Sequence, residues 1–178
     1  MAALAVAAVP AAALAAVDAY LYIDGATGDA TDAGHRGWIE VGIPQWGVGR
    51  GARHGLANGR WADRESSAPS VSEIVVTKAN DKASTLLSKC VATGCRFGSA
   101  ILEMKKPGDR DPLLRYILSN LMLTGYHVTS GGDRPTESLS LHFTKIEKKA
   151  ASASAASINL NSSKSNMYES TNPSDPVP

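Results

Sequence analysis

The stretch LLSKCVATGC, residues 86–95, holds both cysteines of the 178-residue chain. Two thiols with four residues between them could serve as a redox pair, as half of a metal site, or as buried contacts. The spacing is not the C-x-x-C redox motif, and no thioredoxin-like βαβ pattern surrounds it. A zinc site needs two more ligands at characteristic spacing. The four histidines stand at 35, 54, 127 and 142, too scattered to supply a spaced pair. His127 and His142 also alternate with the apolar residues of their segments, which points them to solvent. No metal and no cofactor is expected.

Catalytic signatures are missing as well. There is no G-x-S-x-G, no H-E-x-x-H and no phosphate loop; Gly47-Val48-Gly49 is followed by Arg50 and no helix. Asp109, Asp111 and Asp133 fall in turn sequences, where aspartate serves local backbone hydrogen bonds. The chain is therefore read as a non-enzyme. One surface cluster remains. Arg50, Arg53, His54, Arg60, Trp61 and Arg64 lie within a single glycine-rich segment, and Arg and Trp are enriched where protein chains meet. These six are the candidate subunit-interface residues. Lys and Arg number 18 against 17 Asp and Glu, a net charge of +1, so nothing draws the chain to nucleic acid or an anionic membrane.

The elements that must position these residues are mostly strands. AYLYID (19–24) is a first strand. WIEVGIPQWGV (38–48) alternates, with Ile39, Val41 and Ile43 on one face, and Pro44 bends it or places it at an edge. Residues 49–70 carry no periodicity and form a long loop, which in a compact domain marks a functional segment. VSEIVVTKA (71–79), RFGSAILEMKK (96–106), LLRYILSNLMLTGYHVTS (113–130) and TESLSLHFTKIEKK (136–149) continue the series. The polar centre Ser119-Asn120 marks a bulge or a bend where two strands meet. In the last run Leu139, Leu141 and Phe143 alternate with Ser138, Ser140 and His142. The pattern predicts a mainly β fold, a small antiparallel barrel or sandwich with one short helix.

That helix spans about residues 84–93 and contains the first cysteine. Ser84 or Asp81 can cap its start, and Leu86, Leu87, Cys90 and Val91 share one face. Gly94 suits the left-handed position that ends it. Cys90 and Cys95 then occupy the two positions that touch in a Schellman ending. Both thiols read as small hydrophobes docking the helix on the barrel, with an opportunistic disulfide left open.

The ends differ from the middle. Residues 1–16 are alanine-rich, without a basic residue before Arg36. They lack the positive start of a signal peptide and the apolar strength of a membrane span, so they read as a dispensable extension. Residues 150–178 are rich in Ser, Ala and Asn and are expected to be disordered.

The strings VDAYLYIDGATGDATDAGHRGWIEVGIPQWGV, SEIVVTKANDKASTLLSKCVATGCRFGSAILEMKK and LLRYILSNLMLTGYHVTSGGDRPTESLSLHFTKIE resemble the haemolysin-coregulated protein (Hcp) family of bacterial type VI secretion. The likeness covers about residues 17–149 in order. It implies a β-barrel subunit of homohexameric rings that stack as a tail tube inside a contractile sheath. The VgrG spike protein and small effectors carried in the lumen are the further partners it implies. The subunit would wait in the bacterial cytoplasm and be secreted without a cleaved signal peptide. Residues 49–70 would reach neighbouring subunits, and Met1–Ala16 is extra to the family pattern. The alternatives are a secreted effector on the same scaffold and a monomeric periplasmic binding barrel.

Overall fold

A computed structural model describes residues 17–49, 56–57, 60–61, 70–130, 132, 134–151, 153–160 and 168–171. The alanine-rich stretch 1–16 lies outside them. Strand β1 (Asp18–Ile23) pairs antiparallel with β2 (Ile39–Val41). Then come β3 (Val48–Gly49), β4 (Leu56–Ala57), β5 (Arg60–Trp61), β6 (Ser70–Val71) and β7 (Ile74–Ala79). Helix α1 (Ser84–Thr93) follows, then β8 (Arg96–Lys105), β9 (Leu114–Thr129), β10 (Thr136–His142) and β11 (Lys145–Ala150). Strands β12 (Ala153–Asn159) and β13 (Tyr168–Thr171) complete the order.

Side chains on alternate residues close the core. Leu21, Ile39, Ile74, Leu102, Leu118 and Leu139 are fully buried, each removing an apolar side chain from water for about 1.5–3 kcal/mol. Strand β1 lies between β2 and β8, β8 pairs with β9, β9 with β10, and β10 with β7. The second half of β9 pairs with β10 and the first half with β11. This division turns on Asn120, a non-glycine residue at φ 53°. Its amide Nδ2 donates to Thr144 Oγ1 at 2.8 Å, and the Thr144 N–H donates to Ser119 O at 3.0 Å. The polar centre of this run is thus a bend in one long strand, opposite the break between β10 and β11.

Two expectations about the chain's organisation change. Residues 150–178 are not wholly without structure, because β12 pairs with β11 and β13 with β12. Counting large apolar residues missed this. Small Ala and Ser side chains leave room for a ladder, and Ile158 and Leu160 pack against the core. Residues 49–70 also contain paired backbone. Strand β3 pairs with β6 and β4 with β5, both antiparallel.

Helix α1 has the expected bounds. Asp81 Oδ1 accepts the Ala83 N–H at 2.9 Å, and Ser84 Oγ accepts the Asp81 N–H at 3.0 Å, but the N-cap position is held by Ala83, which makes no side-chain cap. Gly94 ends it at φ 71°, with the Gly94 and Cys95 N–H groups both donating to Cys90 O at 2.9 and 3.1 Å. That ending brings the Cys90 and Cys95 Cα atoms to 4.8 Å, and the sulfurs are joined as a disulfide. The thiols are therefore bonded rather than free contacts. The capping geometry that explains their proximity also meets the reach of a disulfide.

The N-terminal turn of α1 rests on a buried charge. Glu137 Oε2 lies 2.8 Å from Lys78 Nζ with both side chains sealed from solvent. Asn80 Nδ2 donates to Glu137 Oε1 at 2.6 Å, Ser84 Oγ donates to Oε2 at 2.8 Å, and Lys78 Nζ also meets Asp81 Oδ1 at 2.8 Å. Burial pushes the Glu137 carboxyl up, but hydrogen bonds from Lys78, Asn80, Ser84 and Tyr126 outweigh it and hold the group below its ordinary value. Removing one member leaves a buried charge unpaired. Lys78→Met is expected to cost about 3–5 kcal/mol in urea unfolding. Lys78→Met with Glu137→Met should cost less than Lys78→Met alone. A double variant no more stable than the single would contradict this account of the pair.

Candidate assembly surface

The barrel closes where β2 meets β7, and the closure is irregular. Gly42 N–H donates to Thr77 O at 2.6 Å, Gln45 and Val75 exchange two hydrogen bonds at 2.9 Å, and Ser72 N–H donates to Gly47 O at 2.9 Å. Between the first two contacts, Ile43 and Pro44 stand opposite Val76 alone. That is a bulge, placed where proline cannot donate to a ladder. Val76 stays fully buried while Ile43 is pushed out to 65% exposure. The expected alternation of Ile39, Val41 and Ile43 therefore holds only to Val41, and β2 ends there.

Ile43 has apolar company along this seam. Val75, bridged to Gln45, is 37% exposed, and Val48, paired with Val71, is 52% exposed. Trp46 is half-buried and meets Tyr116 edge-on at 5.5 Å, tying the seam to the core. A cleft of about 390 Å³ lies over the same junction, lined by Asp29, Glu40, Gly42, Thr77, Lys78 and Arg134 among others. Ile43, Val48 and Val75 are thus exposed apolar residues along this junction, near a polar cleft and the β3–β6 pair.

Of the six residues singled out in the sequence, only two lie among the described residues. Arg60 and Trp61 lie on β5. Arg50, Arg53, His54 and Arg64 fall outside the described residues. The seam residues Ile43, Val48 and Val75 were not anticipated as a surface. The available signal was Pro44 two residues after Gly42 in an otherwise regular strand.

Both flanks of the seam are held by buried charge. On the β7 side stands the Lys78–Glu137 network. On the β2 side, the connection from β1 is pinned by His35, which is buried. Its Nδ1 lies 2.8 Å from Asp32 Oδ2 and its Nε2 lies 2.7 Å from Glu103 Oε2. Each ring nitrogen faces a carboxylate oxygen. The ring also stacks on Tyr20 at 4.4 Å and meets Trp38 edge-on at 4.7 Å. Lys105 Nζ lies 2.8 Å from Asp32 Oδ1, and Arg115 Nε lies 2.9 Å from Glu103 Oε1. Gly28 lets the same connection pass close under β2, since a Cβ there would collide with the Trp38 carbonyl and sit 2.7 Å from Ile39 Cα.

The Asp32 carboxyl is held well below the usual carboxylate range, first by the hydrogen bond from Lys105 and then by that from His35, against the opposing effect of burial. A carboxyl depressed in the folded state stabilises fully above its unfolded value, near pH 4, and loses that contribution as pH falls through the folded value. Stability of the unmodified chain is expected to decline below about pH 4. Asp32→Asn should lower stability at neutral pH and flatten the acid limb. Urea midpoints measured across that window check both, and an unchanged acid limb would count against the assignment.

The comparisons agree with this architecture. The family described as "Type VI secretion system effector, Hcp" matches residues 20–149. A solved structure of a type six secretion system protein is similar at 26% identity and TM-score 0.73, covering 82% of this chain and 96% of that one. Hcp1 from Salmonella typhimurium is similar at 24% identity and TM-score 0.67, with 82% and 95% covered. A type VI secretion system effector from Yersinia pestis reaches TM-score 0.66 at 21% identity, with 80% and 99% covered. No curated protein matches the chain.

Proposed function

The chain belongs to the Hcp family of type VI secretion proteins, and from that premise we propose that it is a tail-tube subunit whose homohexameric rings stack end to end. The observation that carries the reading is the seam. Isoleucine and two valines stand exposed along the β2–β7 junction, and exposed apolar surface invites a second chain. A contact that joins this edge to a different face of the next copy is heterologous, and such contacts close into rings when the rotation permits. The segment between β3 and β6 would extend the contact to the neighbour. Expulsion from the cell, an enclosing sheath, a VgrG spike and small effectors in the lumen complete the proposal. No step in this role requires catalysis. The subunit works by staying rigid under thrust, which suits a barrel pinned by charge networks on both sides of its closure.

Light scattering after size exclusion and negative-stain microscopy of the full chain test the proposal. Rings of about six times the monomer mass are expected. A monodisperse monomer at high concentration, with no rings in the images, would overturn it. Ile43→Asp should disperse the rings while changing monomer stability by less than about 0.5 kcal/mol, since that side chain is already exposed.

A further inference from the structure

The disulfide at the end of α1 is not symmetric. Cys90 lies on the buried face of the helix with Leu87, at 3% exposure. Cys95 is only half-buried, with its Sγ 3.4 Å from the exposed Thr93 hydroxyl. The two are held side by side by backbone alone: Gly94 takes the left-handed turn, and the Gly94 and Cys95 N–H groups both bond to Cys90 O. The approach of the sulfurs therefore does not depend on the bond between them. A thiolate on Cys90 would sit buried among apolar neighbours, which is unfavourable to negative charge.

We propose that Cys90 and Cys95 form a thiol–disulfide couple that exchanges with small soluble disulfides such as oxidised glutathione, with Cys95 the entry sulfur and Cys90 its buried partner. In the reduced chain, the Cys95 thiolate attacks one glutathione sulfur. It forms a mixed disulfide and releases one glutathione thiolate. Cys90, giving up its proton, then attacks Cys95 Sγ and expels the second glutathione. Two protein thiols are oxidised to one disulfide as one glutathione disulfide is reduced to two thiols, so electrons and atoms balance. Opening runs in reverse, with a small thiolate attacking Cys95 Sγ and Cys90 leaving. The state of the bond follows the solution, while the barrel keeps one shape, because the helix ending that sets the distance is made by the backbone. The couple rests on this ending and not on ring assembly.

The test uses the full chain, reduced, freed of reductant and mixed with oxidised glutathione, with acid-quenched samples mapped by mass spectrometry. The unaltered chain is expected to end with the internal disulfide and no retained glutathione. Cys90→Ala should accumulate one glutathione on Cys95. Cys95→Ala should take up glutathione on Cys90 roughly tenfold more slowly or slower, and denaturant should abolish that protection. Circular dichroism of each variant confirms that it is folded before mixing. Equal uptake at Cys90 and Cys95 in the folded variants, persistent free thiols in the unaltered chain, or protection of Cys90 that survives denaturant would overturn the proposal.

Discussion

Glu137 is sealed from solvent on the inward side of β10, and a carboxylate in that position dictates much of what surrounds it. A buried charge is tolerated only when paired and hydrogen-bonded on every side. Lys78 comes from β7, Asn80 and Asp81 from the turn after it, and Ser84 from the first turn of α1. The network therefore fixes where β7 ends, where the helix begins and how the helix sits on the sheet. A purely apolar contact at the same place would have permitted sliding; directional hydrogen bonds do not.

The second network does for β2 what the first does for β7. Asp32, His35, Glu103, Lys105 and Arg115 join the β1–β2 connection to β8 and β9, and the stacked rings of Tyr20 and His35 seal it. The strands on either side of the seam are thus rigid while the seam itself is irregular. The bulge at Ile43–Pro44 can expose apolar surface without loosening the barrel, because closure does not rely on Ile43. An edge built this way keeps its shape.

Alternation made most of the strands legible. Leu139, Leu141 and Phe143 repeat every second residue, and that period survives into the fold unchanged. The helix was legible for a local reason, a glycine at its end and polar residues at its start. The charge networks were harder to see, though each left a trace. Lys78 shares the parity of Ile74 and Val76, and Glu137 shares that of Leu139 and Leu141, so each places a charge on a face that must be buried. Parity alone does not name a partner, since Lys78 and Glu137 are 59 residues apart. His35 was hidden similarly, with Glu103 68 residues away.

The sequence by itself determined the mainly β class, the helix and its ending, the proximity of the two cysteines, and through its strings the family. These are consequences of local periodicity, turn chemistry and backbone capping, which act over a few residues. Only the tertiary structure decided that Ile43 faces outward, that part of the Ser- and Ala-rich tail joins the sheet, and which charges pair in the interior. Each of those depends on what the fold brings alongside: Val76 opposite the bulge, β11 next to β12, and Lys78 against Glu137. Contacts between residues distant in the chain are set by register and closure of the whole barrel, and no short window of sequence contains them.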